Sequence, residues 1–315
     1  MKVAIIGAGM AGLACADKLR ADGHTVSLYD KGRGAGGRMS SRRMDTPLGQ
    51  VTLDHGAQYF TARDPGFSKL VSIWQHNGVA APWPVAGHGA WVGVPAMSAI
   101  IKDMAAPHGV AWGCHISGIS HTNHQWQLHS AAGDTGPFDA VILAIPAEQA
   151  ATLLSLHDFA LARIALTARS QPCWTSMFVF EQSLGAAVSV IRNAGAIAWA
   201  ARNNTKPGRA STEAWVVQAS ADWSRANFDL GPAQVSDELL SALKIGCNSN
   251  IPLPVATASH RWSYALSAGT GDGALWNQEI ALGVCGDWLL GPRVECAWLS
   301  GQLMAKRVMQ RVTSS

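Results

Sequence analysis

The first thirty residues most constrain what this chain can fold into. Residues 3–6 are a β-branched run that predicts a strand buried on both faces, and residues 7–12 place glycines in the spacing G-x-G-x-x-G. Helical periodicity follows the glycines, a second strand-like run covers residues 25–29, and Asp30 ends that run. Strand, glycine turn, helix, strand and acid in this order predict a dinucleotide-binding βαβ unit.

Each residue of this motif has a physical task in such a unit. Gly7 permits the tight turn, Gly9 lets a pyrophosphate approach the backbone, and Gly12 lets the helix pack against the strand. The helix N-terminus offers free N–H groups and the positive end of its dipole to phosphates. Asp30 comes 18 residues after Gly12, where a carboxylate can bind a ribose hydroxyl. The alternative is a glycine-rich turn in another kind of βαβ unit.

Composition narrows the class of protein. With 315 residues, 48% hydrophobic and 14% charged, the chain is long enough for two domains or for one domain with a large insertion. The net charge of +3 gives no nucleic-acid footprint but suits an anionic ligand in a locally basic cleft. Glycines interrupt the apolar run after Lys2, which excludes an export signal, and no apolar stretch has transmembrane length. Six cysteines without a C-x-x-C pair fit reduced thiols, so we expect a cytoplasmic protein that binds neither membrane nor nucleic acid.

Two further stretches are candidates for ligand binding. Residues 31–43 form a glycine-rich loop in which Gly36-Gly37-Arg38 resembles a second phosphate clamp, whereas Arg42 and Arg43 could equally belong to a solvated basic loop. Residues 54–60 read DHGAQYF, where small Gly56 and Ala57 would let a flat ring lie against the backbone. The histidines at 115, 121, 124 and 129 match no metal-ligand spacing, so we predict no metal site.

The pattern of the remaining chain predicts an α/β protein. The fold class is a Rossmann-type dinucleotide-binding domain with an inserted mixed α+β substrate domain built on a largely antiparallel sheet. We assign residues 1–63, 91–156 and 260–315 to the first domain, and residues 64–90 and 157–259 to the second. The specific predictions are a hairpin turning at 122–124, buried strands at 140–146 and 281–287, antiparallel strands at 175–180, 197–201 and 214–219, a turn at 206–209, and helices at 148–155, 232–245 and 295–312.

These motifs together carry a resemblance to a known family. The chain resembles the bacterial renalase-like proteins of the flavin-containing amine oxidase type, and the resemblance covers it nearly end to end. The glycine motifs alone indicate only an FAD oxidoreductase, and the stretches that begin at Asp54, His260 and Gly286 narrow it to renalase-like proteins. The matching stretches are GAGMAG from 7, GAGGRMSSRR from 34, DHGAQYFTARD from 54, WVGVPAMSAI from 91, VILAIPAEQA from 141, AWAARNNTKPGR at 198–209, WSRAN from 223, HRWSYA from 260 and GDWLLGPRVECAWLSG from 286.

The resemblance implies an FAD cofactor and a set of residues that hold it. No Ser-Gly-Gly-Cys-Tyr segment of the kind that attaches flavin is present, so we expect the FAD to be noncovalent. Arg33 stands one residue before the family's usual arginine position, so it receives no role. The implied cofactor residues are Gly7, Gly9, Met10, Ala11, Gly12, Asp30 and Lys31 for the ADP half, Ile116 for adenine, Gly37, Arg38 and Met39 for the pyrophosphate, and Gly56, Ala57, Gln58, Asp287, Val294 and Glu295 for the flavin half.

The resemblance also implies a reaction. Renalase-like enzymes oxidise isomeric dihydronicotinamide dinucleotides, which are forms of NAD(P)H that carry the hydride at the wrong ring carbon. The hydride passes to flavin and its electrons then pass to O2, which gives β-NAD(P)+ and hydrogen peroxide. Such chemistry needs two flat rings in contact and no general base. No catalytic residue is therefore assigned, and the oligomeric state stays open. The candidates for the substrate pocket are Tyr59, Trp199, Arg202, Trp223, His260, Trp262 and Trp288.

Two other functions stay open from the sequence. One is a true amine oxidase that binds a small neutral amine in an aromatic cage. The other is a flavin- or nucleotide-binding redox sensor without turnover. Thirteen tryptophans fit the enzymes and the sensor alike, since they can fill a core or form flat walls for a ring.

Overall fold

The computed structural model describes residues 1–248 and 251–312. Within these residues the helices are α1 (Met10–Ala21), α2 (Pro65–His76), α3 (Ser98–Ala105), α4 (Ala147–Leu154), α5 (Phe159–Thr167), α6 (Ala221–Ala226), α7 (Pro232–Cys247) and α8 (Val294–Val312). The strands are β1 (Lys2–Ile6), β2 (Thr25–Asp30), β3 (Arg42–Thr46), β4 (Gly49–Leu53), β5 (Ala80–Pro82), β6 (Trp91–Gly93), β7 (Ala111–Trp112), β8 (Ile116–Thr122), β9 (Gln125–Ser130), β10 (Gly133–Phe138), β11 (Ala140–Leu143), β12 (Gln171–Val179), β13 (Val190–Ala194), β14 (Ile197–Arg202), β15 (Ala214–Ala219), β16 (Ala256–Leu266), β17 (Leu275–Asn277) and β18 (Leu282–Val284).

The first layer is a six-stranded sheet in the order β17-β18-β11-β1-β2-β7. Its inner pairs are parallel and only β17 is antiparallel, as expected where helices connect neighbouring strands. Strands β1 and β11 are almost wholly buried, because apolar side chains on both strand faces pack under helices. The predicted buried strand at 281–287 is shorter than expected, since the chain turns after β18 toward α8.

Helix α1 lies against α8 through backbone contact at a glycine. A Cβ at Gly301 of α8 would lie 2.2 Å from the carbonyl oxygen of Ala11. On the opposite side of α1, a Cβ at Gly12 would lie 2.0 Å from the carbonyl oxygen of Gly7. The two glycines therefore let one helix pack closely between the sheet and the last helix.

A three-stranded antiparallel sheet, β10-β9-β8, lies beside the first sheet. Asn123 and His124 connect β8 to β9 with φ angles of 52° and 61°, which suits a two-residue hairpin turn. The predicted hairpin at 122–124 is confirmed.

The second large sheet is five-stranded and antiparallel, in the order β13-β14-β15-β12-β16. Helix α7 packs its buried Leu239 and Leu243 onto this sheet in a separate apolar core with Phe178 and Trp215. The predicted strands at 175–180, 197–201 and 214–219 and the helix at 232–245 are confirmed. The α/β fold class with a largely antiparallel second sheet is confirmed as well.

Three segments pack in a different domain from the one predicted for them above. Helix α2 buries Phe67, Val71 and Trp74 in the same core as α1, because its apolar face meets Trp298 of α8. Helix α5 packs beside α4 in the core of the first sheet. Strand β16 continues to Leu266 within the second sheet, six residues past the predicted boundary at 260.

Among the described helices, none combines the length and the apolar character that crossing a bilayer requires.

We predict that Gly301→Ala destabilises the fold. The added methyl group cannot fit against the Ala11 carbonyl without separating α8 from α1, and overpacking of this kind costs about 1–3 kcal/mol. Chemical denaturation monitored by circular dichroism measures the loss. Gly109→Ala is the control, because a Cβ at this exposed loop position meets no atom within 4 Å. Equal stability of the two variants would contradict the prediction.

Candidate active site

A cavity of about 790 Å³ opens at the carboxyl ends of β1 and β2 and extends to β16 of the second sheet. Strand ends of a parallel sheet are the usual place for a nucleotide, because helix N-termini converge there. Most of the predicted cofactor residues border this cavity: Gly7, Gly9, Met10, Ala11, Asp30, Lys31, Gly37, Arg38, Met39, Gly56, Ala57, Ile116, Asp287 and Val294. Gly12, Gln58 and Glu295 lie behind its wall.

The glycine turn forms a cradle of backbone. Gly7 has a φ of +105°, and a Cβ there would lie 2.3 Å from the carbonyl oxygen of Ala144. At Gly9, in contrast, a Cβ would meet nothing within 4 Å, so the space beside it belongs to the cavity. No side chain caps the N-terminus of α1. Open space, uncapped N–H groups and a helix dipole together fit a pyrophosphate.

Asp30 lies at the end of β2 and faces the same cradle. Its Oδ2 accepts a hydrogen bond from the backbone N–H of Ala8 at 2.8 Å, and its Oδ1 accepts one from Gly32 at 2.7 Å. Each carboxylate oxygen has a second lone pair, so both can still accept a bond from a ribose hydroxyl. Asp30 therefore holds two glycine loops and remains free to bind a ligand.

Arg38 and Asp287 form a direct ion pair at the edge of the cavity. The guanidinium donates to both carboxylate oxygens of Asp287, at 2.8 and 2.5 Å, although the two residues are 249 positions apart. This bidentate ion pair closes the loop after β2 onto the turn after β18. Both groups border the cavity, so a phosphate and a sugar hydroxyl would find a cation and a carboxylate already in place.

Gly56 and Ala57 form the wall beside this ion pair. The N–H of Ala57 donates to the carbonyl oxygen of Arg38 at 2.8 Å, and a Cβ at Gly56 would lie 2.2 Å from that oxygen. Gln218 of β15 donates to the Gly56 carbonyl at 2.8 Å. The small residues therefore lie flat between two sheets, as a wall against a planar ring would require.

Glu295, in the first turn of α8, is buried and binds backbone. It accepts hydrogen bonds from the N–H groups of Arg63 and Asp64 at 2.5 and 2.6 Å, and one from Arg293 at 2.9 Å. It thereby ties the segment before α2 to the start of α8, whose Val294 borders the cavity.

Of the predicted substrate-pocket residues, Trp262 borders the cavity. Its indole N–H donates to the carbonyl oxygen of His55 at 2.9 Å, and its ring stacks on the His55 ring at 5.2 Å. His260 meets both rings edge-on, at 5.1 Å from His55 and 4.5 Å from Trp262. Burial, with His260 and Arg42, lowers the pKa of His55 to about 4; burial and Arg42 also lower the pKa of His260. Both imidazoles are therefore neutral near pH 7.

The other predicted pocket residues lie outside the cavity wall. Tyr59 and Trp199 pack on each other at 5.1 Å, with the guanidinium of Arg192 4.7 Å from the Trp199 ring centre. Trp223 packs on the core of the second sheet. Arg202 pairs with buried Glu213 at 3.2 Å, and Trp288 is buried with its indole donating to Ile145.

Sequence reasoning missed several residues that the fold brings to this site. Cys173 and Gln218 on β12 and β15, and Arg261, Ser263 and Tyr264 on β16, border the cavity. The three residues on β16 gave a weak signal, because β16 was not predicted as a strand. Burial raises the pKa of the Cys173 thiol to about 11, so this thiol is unreactive near neutral pH.

Lys206 and Arg209 were also missed. The sequence predicts a turn at 206–209, and the structure adds that both side chains are buried and ion-paired with Asp54, at 3.1 and 2.5 Å. The turn motif Lys-Pro-Gly-Arg offered a signal, since two cations flank a turn in a chain with few charges. Within the described residues, no group of histidine, cysteine and acidic side chains has an arrangement that could hold a metal ion.

Comparison with known proteins supports this geometry. Residues 5–74 match the NAD(P)-binding Rossmann-like domain, and residues 84–309 match the family described as flavin containing amine oxidoreductase. Renalase from Mus musculus is 25% identical over 297 residues, which cover 84% of each chain.

Solved structures with the same fold are more distant in sequence. A proposed protoporphyrinogen oxidase from Exiguobacterium sp. 255-15 has a TM-score of 0.77 at 13% identity, covering 98% of each chain. Cyclohexylamine oxidase from Brevibacterium oxydans has a TM-score of 0.74 at 12% identity, covering 99% of each chain. At such identity these structures show a shared fold only.

We predict that Asp30→Ala weakens FAD binding about ten- to a hundredfold. A carboxylate that accepts bonds from ribose hydroxyls contributes about 1.5–3 kcal/mol, which corresponds to that loss. Fluorescence titration of the apoprotein with FAD measures the affinity. Asp45→Ala removes the same charge from an exposed hairpin and should leave the affinity unchanged. Unchanged affinity in Asp30→Ala would show that this carboxylate only supports the loops.

Proposed function

The chain belongs to the flavin containing amine oxidoreductase family, and we propose that within this family it oxidises isomeric dihydronicotinamide dinucleotides. These are forms of NAD(P)H that carry the hydride at a ring position other than the usual one. The coarser assignment follows from the family and from renalase: the protein is an FAD-dependent oxidase that acts on a small molecule. When bound, FAD supplies an acceptor for two electrons that O2 can reoxidise.

The overall reaction balances without a covalent enzyme intermediate. One dihydronicotinamide, one O2 and one proton give one NAD(P)+ and one hydrogen peroxide. The substrate loses a hydride and its ring becomes aromatic, so no proton has to be removed from it. The protein must therefore bind two flat rings in contact, orient them and exclude water, rather than move a proton.

The observation that carries this proposal is the chemistry of the cavity beyond the cofactor residues. Trp262 and Tyr264 of β16 offer flat aromatic surface, whereas the guanidinium of Arg261 on the same strand packs on Phe228 and donates to its carbonyl oxygen. The carboxylates in the described lining are Asp30 and Asp287, and both belong to the predicted FAD site. The flat face of a planar dihydronicotinamide ring suits this aromatic surface.

The rings around Trp262 support orientation rather than proton transfer. His55 is buried and stacked, its pKa is lowered to about 4, and its carbonyl oxygen fixes the indole of Trp262. His260 packs edge-on against both. We assign His260 to packing or binding. Trp262 would then be held rigidly as a wall of the ring-binding space.

The competing candidate is an amine oxidase. The aromatic pair of Tyr59 and Trp199 resembles part of a cage for a neutral amine, and putrescine oxidase and cyclohexylamine oxidase share the fold. This pair lies outside the cavity wall, which favours the dinucleotide.

We predict that anaerobic mixing with isomeric dihydronicotinamide dinucleotides bleaches the visible absorbance of the bound flavin. One NAD(P)+ should form for each flavin reduced, and peroxide should appear when air is admitted. Putrescine and cyclohexylamine serve as test amines. Bleaching by amines but not by the isomers would establish an amine oxidase. Bound flavin that neither class reduces would support a redox sensor.

We predict further that the rate of flavin reduction does not rise between about pH 6 and 9. An amine must lose its proton before oxidation, so an amine oxidase would gain rate as pH approaches the amine pKa of about 10. The pKa of His55 is lowered to about 4, which keeps this imidazole neutral across the range, and burial and Arg42 lower the pKa of His260 from its usual value. Stopped-flow reduction of wild type and His260→Gln measures the profiles. A sigmoidal tenfold rise in wild type that disappears in His260→Gln would make His260 a base and contradict the mechanism.

A further inference from the structure

A buried cluster of charges lies directly behind the cavity wall at Gly56 and Ala57. It consists of Asp54, Lys206 and Arg209, whose side chains are each at most 1% exposed. The Oδ2 atom of Asp54 accepts from Lys206 Nζ at 3.1 Å and from Arg209 Nη2 at 2.5 Å. The cluster joins the turn after β14 to the end of β4.

The carboxylate of this cluster is ionised, and both of its oxygens accept hydrogen bonds. Its Oδ1 atom accepts from the hydroxyl of Ser41 at 2.7 Å and from the N–H of Met97 at 2.9 Å. Burial alone would raise the pKa of Asp54, but Lys206, Arg209 and the Met97 N–H lower it to about 2. Asp54 therefore contributes one negative charge near neutral pH.

Two cations share that single charge. In the part of the chain that the structure describes, Asp54 is the carboxylate within ion-pair distance of Lys206 and of Arg209. The cluster thus holds one positive charge in excess, shielded from water. Burial lowers the pKa of Lys206 to about 8 against the opposing effect of Asp54. An uncompensated buried charge is costly, so an anionic partner would be expected nearby.

The hydrogen bonds of Lys206 lead toward the cavity. Its Nζ also donates to Oε1 of Gln58 at 3.1 Å, and Nε2 of Gln58 donates to the carbonyl oxygen of Gly56 at 3.1 Å. Gly56 and Ala57 border the cavity. On another side, the Nζ of Lys206 lies 5.2 Å from the ring centre of Trp83. The excess charge is therefore linked to the cavity wall through a single side chain.

We propose that Lys206 is a positioning residue whose uncompensated charge stabilises negative charge on the FAD held against Gly56 and Ala57. Accepting a hydride places negative charge on the flavin ring, and a buried cation behind that ring favours the charged form. The inference needs FAD in this cavity, but it does not depend on which substrate delivers the hydride.

Sulfite tests this proposal without turnover. When sulfite is added to the FAD-loaded protein, the lone pair on its sulfur forms a bond to a flavin nitrogen. One negative charge that sulfite brought is then carried by the flavin ring. We expect Lys206→Met to raise the sulfite dissociation constant at least about tenfold. Lys206→Arg restores the charge and should restore the constant to within about threefold of wild type. Lys206→Met leaves Asp54 and Arg209 as a neutral ion pair, so the fold can tolerate the change.

Two further variants separate charge from structure. Arg225→Met removes an exposed cation from the second sheet's domain, where it pairs with Asp222, and should leave the sulfite constant within about twofold of wild type. Arg209→Met removes the same unit of charge from the cluster but leaves the Lys206–Asp54 pair and the bond to Gln58. The proposal expects weaker sulfite binding there as well.

The outcomes are distinguishable. Lys206→Met that binds FAD and sulfite as wild type does would overturn the proposal, and so would loss of FAD affinity with an unchanged sulfite constant. If Lys206→Met does not fold, Arg209→Met decides by the same criterion. Failure of both variants to fold would assign the cluster to stability alone and would also overturn it. Failure of dihydronicotinamides to reduce the flavin would contradict the proposed substrate and leave the sulfite result unaffected.

Discussion

One buried carboxylate, Asp54, joins the parts of the molecule that have to meet at the cavity. Its two oxygens accept bonds from the loop at Ser41, from the backbone before α3 and from the turn after β14. The most distant of these groups, on Arg209, is 155 residues from Asp54 in the chain. Without this carboxylate two buried cations would lose their ion-pair partner, so the contact between the end of β4 and the turn after β14 depends on it.

The cavity follows from that junction and from a second ion pair. Arg38 and Asp287 close the turn after β18 onto the loop after β2, and Gln218 reaches from the second sheet to the Gly56 carbonyl. The parallel sheet supplies uncapped N–H groups and the carboxylate of Asp30, while β16 supplies aromatic surface. An FAD-dependent oxidase needs both halves, since one binds the cofactor and the other bounds the space where a substrate ring can lie.

The residues that sequence reasoning predicted from local backbone geometry border one cavity. The glycine turn, Asp30 and the small pair at Gly56 and Ala57 lie together because short-range spacing determines where they go. Sequence reasoning was least successful for the tryptophan side chains. Trp288 lies in the core of the first sheet and Trp223 packs on the core of the second, and an isolated tryptophan gives no sign of whether it fills a core or lines a cavity.

The sequence by itself determined the βαβ unit, the α/β class and the antiparallel character of the second sheet. It could do so because glycine spacing and apolar periodicity act over a few residues. Only the tertiary structure decided that a Lys-Pro-Gly-Arg turn would bury two cations against Asp54, and that β16 would bring Trp262 and Arg261 to the cavity. These contacts join residues far apart in the chain, and their stability depends on burial and on charge pairing that no local pattern records.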